Sequence, residues 1–346
     1  MENTVHTFNL KIDWGLINLI SQIDRFDASW TAIEKKEGQS LKQLKSFATI
    51  RSVGASTRIE GSKLSDEEVE VLLNKLDISK IKNRDAQEVI GYFEALDLIA
   101  ESYFDIPVTE NSIKSLHGLL LKYSEKDKWH KGGYKQHSNA VEATLPDGSK
   151  QIIFQTTKPG YPTQDAMREL IAWYDDDHKT HPLVKCALFT YEFLSIHPFQ
   201  DGNGRLSRLL STLLLLKNGY TWIQYVSFEH EIERRKIEYY RVLRNCQSQR
   251  PNEDVSSWIY FFFDALSNIQ EQLMIKLTTK GVEAKLAPKE KSVLVFIENN
   301  PGCKSGEIAN KLGIPVPTVK KLLPGLLAKN LIDKHGTGPG TNYSIK

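Results

Sequence analysis

The sequence predicts a mainly helical fold, and two observations carry this prediction. Apolar residues recur at helical spacing in several stretches, among them residues 184–195 and 206–216, and such stripes are typical of α-helices. Strand signals are confined to one short segment around residue 148 and to the last residues of the chain. We therefore expect a helical core with one short β-hairpin, followed by a small separate domain that ends in two strands.

The N-terminal part is predicted to be helical throughout. The first forty-odd residues, with Trp14 and Trp30, read as helices that pack on the core. Apolar residues from Phe47 onward predict a further helix, which Gly61 ends because glycine commonly terminates helices. Glu60 then falls in the last turn, where the helix dipole disfavours an anion. A buried partner that neutralises this carboxylate would offset the cost.

A β-hairpin and another helix are expected in the middle of the chain. Asp147-Gly148 lies between short apolar runs, which is a strong tight-turn signal. A turn cluster at residues 158–162 then leads into an amphipathic helix over residues 167–174. This helix runs into three consecutive aspartates, residues 175–177, which we interpret as a solvated helix end rather than a metal site.

The most informative stretch is residues 197–208, HPFQDGNGRLSR, which lies between two predicted apolar helices. Pro198 discourages continuation of the preceding helix because the residue before a proline is pushed out of the helical region. His197 is therefore expected at a helix end, with its imidazole facing the following loop. An imidazole in such a place is a candidate general base.

The rest of this stretch is suited to a polyphosphate. Gly202 and Gly204 allow a ligand to approach the backbone closely, and the N-terminus of the helix that follows offers free N–H groups to an anion. Arg205 and Arg208 project from the same side of the first turn and suit phosphate oxygens. Asp201 would repel phosphate unless Mg²⁺ bridged the carboxylate and the phosphates.

The stretch matches every specified position of the signature of Fic-domain proteins, His-x-Phe-x-(Asp/Glu)-Gly-Asn-Gly-Arg-x-x-Arg, and the chain resembles that family over about residues 47–247. The resemblance implies a mostly helical fold and the transfer of AMP from ATP to a Ser, Thr or Tyr hydroxyl of a target protein or of the chain itself. It implies that His197 is the general base, Asp201 the Mg²⁺ ligand and Phe199 the loop anchor. The nucleotide contacts it implies are Gly202, Asn203, Gly204, Arg205, Leu206, Ser207 and Arg208. Gly204 favours AMP transfer, because the related Doc-type phosphotransferases carry a lysine at that position.

Three further features resemble parts of the same family. Ser56-Thr57-Arg58-Ile59-Glu60-Gly61 resembles its inhibitory motif, which implies that Glu60 pairs with Arg208 and withholds it from the ATP γ-phosphate. The hairpin resembles the flap that holds an extended target segment by strand pairing; a purely structural hairpin is the alternative. Arg234, Arg235, Tyr239 and Tyr240 are predicted to lie on one helix that is broken near Pro251. The two tyrosines resemble the adenine side of the nucleotide site, with core packing as an equal alternative.

The C-terminal residues differ in charge from the rest of the chain. Between Leu286 and Lys346, nine lysines stand against four acidic residues, so this part carries +5 while the whole chain carries +2. Its apolar pattern predicts a helix, a helix–turn–helix and a two-stranded wing, and it resembles a winged-helix domain. Lys320 and Lys321 on the predicted recognition helix suggest phosphate contacts with DNA. Pro324 in that helix weakens this reading, and a protein-interaction module is the alternative.

Composition limits the class of protein. With 346 residues, 40% hydrophobic and 25% charged, the chain is predicted to be a soluble globular protein of two or three domains. The longest apolar run, residues 209–216, is too short for a membrane span. The three cysteines, residues 186, 246 and 303, lack paired spacing and fit a reducing cytoplasm.

The predicted organisation has four parts. We expect an N-terminal helical region (residues 1–110), a catalytic core (111–250), a helical extension (251–285) and the winged-helix-like domain (286–346). The predicted function is protein adenylyl transfer that uses ATP and Mg²⁺ and is held down by Glu60, with self-association plausible. The alternatives are a DNA-binding regulator with a sensing Fic module, and phosphate transfer or AMP removal by the same site.

Overall fold

The computed structural model describes residues 8–74, 83–144, 150–284 and 286–345. Helix makes up 69% of the structure and strand 4%, which confirms the predicted mainly helical fold. The chain divides into two units, Met1–Glu271 and Gln272–Lys346; the predicted boundaries at residues 110, 250 and 285 stay predictions. No helix of the described residues has both the length and the apolar content that a membrane crossing requires.

The first helix, α1, extends without interruption over 46 residues, Trp14–Ile59. The helices predicted before Phe47 and the helix predicted to end at Gly61 are therefore parts of one continuous helix. Trp30 is buried and packs on Tyr225, with 5.2 Å between ring centroids. Trp14 is 80% exposed, so its predicted packing on the core is wrong. It stands at the first turn of α1, where the indole points to solvent.

Three helices follow before the hairpin, and one close crossing fixes two of them. They are α2 Asp66–Asn74, α3 Arg84–Ser102 and α4 Glu110–Leu120. At Gly91 of α3 a Cβ atom would collide with the main-chain carbonyl of Leu120. Only glycine allows α4 to lie this close to α3. The buried face of α4 includes His117.

The predicted hairpin is present as two antiparallel strands, β1 Ala140–Thr144 and β2 Lys150–Gln155. Ala140 is opposite Gln155 and Thr144 is opposite Lys150, with a register shift next to Val141. The predicted turn at Asp147-Gly148 lies outside the described residues. The two strands form a sheet of their own, to which no third strand is added within the described ranges.

The remaining helices up to residue 284 are α5 Tyr161–Asp176, α6 Pro182–Ile196, α7 Asn203–Lys217, α8 Phe228–Arg234, α9 Lys236–Gln247 and α10 Ser256–Ala284. The predicted pair of apolar helices around residue 200 is confirmed, because α6 and α7 are buried along most of their length and pack on each other. The single helix expected to carry Arg234, Arg235, Tyr239 and Tyr240 is in fact two, α8 and α9. They meet at Arg235, whose backbone leaves the helical region (φ −108°, ψ 27°).

After the end of α10, the described part of the second unit contains three helices and a two-stranded sheet in the predicted order. These are α11 Pro288–Asn299, α12 Ser305–Leu312, α13 Val316–Ala328, β3 Ile332–His335 and β4 Asn342–Ile345. Its core includes Val293, Ile297, Ile308, Leu323 and Leu326. Ser305 is the first residue of α12 rather than its cap, and Glu307 accepts from the Lys304 N–H instead. The assignment of this unit to the winged-helix class stays a prediction.

Candidate active site

The loop between α6 and α7 is held in one conformation by its own side chains. His197 ends α6 in the left-handed region (φ 53°), and Gly202 begins α7 with φ 80°. The Asn203 side chain holds the loop through two hydrogen bonds to the main chain of Phe199. Its Oδ1 accepts from the Phe199 N–H at 2.9 Å, and its Nδ2 donates to the Phe199 carbonyl at 2.8 Å. The Asn203 side chain is thus used within the loop, which leaves its main-chain N–H as the group that could face a nucleotide.

Phe199 is fully buried beneath the loop, as its predicted role as an anchor requires. Its ring stacks on His117 of α4, with 3.8 Å between centroids. His117 Nδ1 accepts from the Gly132 N–H at 2.9 Å, so the proton is on Nε2, which donates to the Asp201 carbonyl at 3.0 Å. Burial lowers the pKa of His117 to about 4, so the ring stays neutral and keeps this pattern of bonds.

His117 was not identified from the sequence, although a signal for it exists. It lies on the buried face of α4 together with Ile113, Leu116 and Leu120. A histidine on the apolar face of a helix is usually a satisfied core residue, and here its polar partners belong to the loop that carries Asp201. His117 therefore supports the site without facing the space in which a substrate would lie.

The His197 imidazole is in the protonation state that a general base requires. Its Nδ1–H donates to the Leu194 carbonyl at 3.3 Å, which leaves the lone pair on Nε2. Burial, together with the positive charge of Lys135, lowers the pKa of His197 to about 4. The ring is therefore neutral at physiological pH, and Nε2 can accept a proton.

The Asp201 carboxylate lies in the same loop, between one N–H donor and two positively charged side chains. Its Oδ1 accepts from the Gly202 N–H at 2.6 Å and lies 3.7 Å from Arg205 Nη2, while its Oδ2 lies 3.7 Å from Lys126 Nζ. Burial alone would raise the pKa of Asp201, but these positive neighbours and the N–H donor bring it below the usual value. The carboxylate is ionised, as a ligand for a hard cation must be.

The first turn of α7 presents its amides to the same space. The N–H groups at a helix N-terminus have no acceptor within the helix and attract anions. Gly204 has no side chain to cover them, and a Cβ there would collide with the carboxylate of Glu60. Leu206 is fully buried, and Ser207 Oγ donates to the Gly204 carbonyl at 2.8 Å. Nucleotide contacts by Leu206 and Ser207 stay predictions, and they would involve the main chain.

Two buried arginines lie beside these amides, and both have unused donors. Arg205 is 2% exposed and pairs with Glu88 at 3.5 Å and Asp201 at 3.7 Å, yet its Nε and Nη1 have no hydrogen-bond partner among the described residues. Arg208 is 1% exposed, and its Nη1 is equally without an acceptor there. Buried donors without partners are costly, and phosphate oxygens would satisfy them.

Glu60 reaches Arg208 across 148 residues of chain. Its Oε1 accepts from Arg208 Nη2 at 2.8 Å. Arg208 also donates from Nε to Ser56 Oγ at 2.8 Å and from Nη2 to the Ser56 carbonyl at 3.0 Å. Burial alone would lower the pKa of Arg208, but the charge of Glu60 raises it above the usual value. The geometry thus brings the two predicted partners together, next to Gly204.

The end of α1 that carries Glu60 is fastened to α8 and α9. Arg58 forms a two-pronged ion pair with Glu233 at 2.7 and 3.0 Å, and Lys236 Nζ donates to the Ile59 carbonyl at 2.6 Å. Arg58 also lies 2.9 Å from Asp66. Burial alone would raise the pKa of Glu233, but His230 and the Arg58 guanidinium lower it to about 2.

Tyr239 and Tyr240 lie close to Arg208 but in different surroundings. Tyr239 is 3% exposed and packs in an aromatic cluster with Trp258 and Phe261, at 5.5 and 5.7 Å between centroids. Tyr240 is partly exposed and contacts Tyr239 edge-on. Of the two, only Tyr240 has ring surface that a base could cover, and both assignments as nucleotide contacts stay predictions.

Comparison with known proteins places a family domain over this site. Residues 107–215 match the sequence model of the Fic/DOC family. The chain is 22% identical over 306 residues to "Protein adenylyltransferase Fic" of Drosophila melanogaster, covering 82% of this chain and 57% of that protein. The protein of the same name from Drosophila virilis is 24% identical over 314 residues, covering 86% and 60%. The chain thus spans less than two thirds of the length of these relatives.

Solved structures agree with the fold. A Fic family protein from Desulfovibrio desulfuricans G20 has a TM-score of 0.65 at 23% identity, and the match covers 98% of both chains. A Fic domain containing signaling protein from Bacteroides thetaiotaomicron has a TM-score of 0.58 at 24% identity, covering 75% of this chain and 94% of that one. At such identities the likeness establishes the fold.

The protonation state of His197 can be measured directly. We expect its imidazole to stay neutral down to about pH 5 because burial has lowered its pKa to about 4. A pH titration of the histidine side-chain NMR signals, with the His197 signal assigned by its loss in His197→Gln, checks this. A midpoint near the ordinary value of 6.5 would show that the imidazole is hydrated and would contradict the geometry.

Proposed function

We propose that this chain, in which residues 107–215 form a Fic domain, is a protein adenylyltransferase that moves AMP from ATP to a hydroxyl group of a protein. The observation that carries the proposal is the convergence of four groups on one loop. A neutral imidazole, an ionised carboxylate, free helix amides and two buried arginines with unused donors meet between α6 and α7. The adenylyltransferases named above support the same reaction for this chain.

His197 and the helix N-terminus supply the chemistry of the transfer. His197 Nε2 takes the proton of the incoming hydroxyl, and the hydroxyl oxygen attacks the α-phosphorus of ATP. The bond from that phosphorus to the bridging oxygen breaks, and pyrophosphate leaves. The amides of residues 203–205 and the guanidinium groups of Arg205 and Arg208 stabilise the negative charge on the phosphates.

Asp201 fits a Mg²⁺ ion that arrives with the nucleotide. Its Oδ2 lies 3.7 Å from Lys126 Nζ, which is an ion pair without a hydrogen bond, so the lone pairs of this oxygen could bind a cation. No group of three or more metal-ligating side chains occurs among the described residues. One carboxylate plus substrate phosphates is a usual way to bind Mg²⁺. Bound there, the ion would neutralise phosphate charge.

Glu60 keeps the site inactive in this proposal. Its carboxylate takes a donor of Arg208 and covers Gly204, so it stands where the terminal phosphate of ATP would bind. The two anions cannot share this space, because like charges at contact distance repel each other. Productive binding of ATP therefore requires Glu60 to leave.

The hairpin is the candidate docking place for the target. The strands β1 and β2 form a two-stranded sheet, so each has an outer edge with main-chain donors and acceptors. An extended segment of a target protein can add to such an edge. Thr156 follows β2 directly and is hydrogen-bonded to Asn139 before β1, so a docked segment would lie beside the loop with His197. Self-association and a cytoplasmic location also stay predictions.

Removal of the inhibitory carboxylate tests the function. Glu60→Gly is expected to raise AMP transfer by about tenfold or more, a gain that corresponds to about 1.4 kcal/mol. Transfer is measured as label incorporated into protein from ATP labelled at the α-phosphate, and His197→Ala in the Glu60→Gly background should abolish it. Incorporation from γ-labelled ATP would indicate phosphate transfer instead, and equal labelling of Glu60→Gly and the wild type would contradict the inhibition.

The fastening of α1 to α8 gives a second test. Glu233→Gln weakens the ion pair with Arg58 and should raise AMP transfer by about two- to fivefold, because a partly buried charge pair contributes only about 1 kcal/mol. In the Glu60→Gly background, Glu233→Gln should not raise AMP transfer any further. Glu238→Gln, which breaks the neighbouring pair with Arg235, is the matched control. An equal rise in both backgrounds would mean that Glu233 acts by another route.

One observation favours DNA binding by the second unit as an additional function. Lys320 and Lys321 are exposed on α13, directly after the turn at residues 313–315. Pro324 lies inside this helix and removes the N–H that would bond to the Lys320 carbonyl, so contacts with phosphates are favoured over base reading.

A gel shift with generic duplex DNA tests this second function. The full chain should bind DNA at low salt and release it as salt rises, because Lys–phosphate contacts release counterions. The double variant Lys320→Gln and Lys321→Gln should bind more weakly, while Lys128→Gln in the first unit should not. Absence of binding at low salt would leave this unit as a protein-interaction module.

A further inference from the structure

Lys135 is a buried lysine that none of the sequence motifs includes. It is 2% exposed, yet no carboxylate forms an ion pair with it in the part of the chain that the structure describes. Burial lowers its pKa to about 8, so the ammonium group is still charged at neutral pH. A buried cation without a counter-ion is unfavourable, and its three hydrogen bonds are what make the position tolerable.

One bond of the ammonium group and one bond of the Lys135 main chain reach the two peptide groups that flank His197. Lys135 Nζ donates to the Ile196 carbonyl at 3.0 Å, and the Lys135 main-chain N–H donates to the Pro198 carbonyl at 2.8 Å. His197 between them has φ 53°, a left-handed conformation that is strained for a residue with a side chain. One residue therefore fixes both flanks of a strained backbone unit.

The same ammonium also connects this unit to the hairpin. Nζ donates to Asn139 Oδ1 and Thr156 Oγ1, each at 2.9 Å. Asn139 immediately precedes β1, and Thr156 immediately follows β2. Asn139 Nδ2 in turn donates to the Phe199 carbonyl at 2.9 Å. The two ends of the hairpin and the loop after α6 thus meet at one charged group.

We propose that Lys135 is a positioning residue for the catalytic base: it holds the Ile196 and Pro198 carbonyls so that the His197 imidazole keeps its Nε2 lone pair toward the substrate, and it ties this geometry to the hairpin. The role of His197 as a base rests on the proposed adenylyl transfer, but the positioning of His197 by Lys135 does not. Loss of the ammonium would leave the buried Ile196 carbonyl without its donor. The strained unit would then relax, and the bond from His197 Nδ1–H to Leu194 would loosen.

Kinetics in the Glu60→Gly background test the effect on catalysis. Lys135→Met should lower kcat about 10- to 100-fold, as small displacements of a catalytic group do, with the KM for ATP changed less than about twofold because α7 and its arginines are untouched. Lys135→Arg keeps charge and donors and should retain most of kcat. Lys114→Met, which removes a lysine above Tyr134, is the control and should leave kcat unchanged.

The NMR spectrum of the His197 side chain tests whether Lys135 positions the imidazole, and it requires no enzymatic activity. Wild type should show one tautomer with the proton on Nδ1, and Lys135→Met should show a mixture. If Lys135→Met does not fold, Thr156→Val removes one acceptor of the ammonium and should shift the tautomer in the same direction. An unchanged tautomer and an unchanged kcat would overturn the proposal. If Glu60→Gly transfers no AMP, the proposed function fails, and the tautomer alone decides for or against Lys135.

Discussion

The buried guanidinium of Arg208 is the constraint on which the rest of the site depends. At 1% exposure it cannot be solvated, so it needs acceptors from the protein or from a ligand. Ser56 supplies two of them from α1, and Glu60 supplies a charged one. These contacts connect the end of α1 to α7 and place the Glu60 carboxylate beside Arg208. An anion that displaces Glu60 must interact with Arg208 at least as favourably as Glu60 does.

The second feature of the site is a loop whose conformation is held by buried side chains on several sides. Asn203 closes the loop through the Phe199 main chain, His117 stacks beneath Phe199, and Lys135 holds the carbonyls beside His197. Each of these supports is buried. Such preorganisation favours a transition state because little reorganisation is left to occur during the reaction. None of these three supports comes from α1, so in the proposed mechanism the contact that Glu60 makes with Arg208 is separate from the groups that hold the loop.

The features that could be predicted from the sequence are those that depend on residues close together in the chain. The helices on either side of residue 200 follow from apolar periodicity, and the candidate base and arginines lie within twelve residues. Glu60 was connected to Arg208 only through the family resemblance, because no pattern links residues 148 positions apart. Lys135 gave no signal, since its role depends on carbonyls more than sixty residues away. The break at Arg235 was missed because neither glycine nor proline marks it. The continuity of α1 was missed because glycines such as Gly38 and Gly54 lie within it, and glycine is unfavourable inside a helix.

Competition for Arg208 is tested most directly by the affinities of ATP and AMP for the wild type and for Glu60→Gly, measured by titration calorimetry with Mg²⁺ present. AMP lacks the terminal phosphates that need Arg208, so it serves as the internal control. If Glu60 stands in the place of a terminal phosphate, Glu60→Gly should tighten ATP binding about tenfold or more, that is by about 1.4 kcal/mol, and leave AMP binding nearly unchanged. An equal gain for both nucleotides would show that Glu60 does not compete for Arg208.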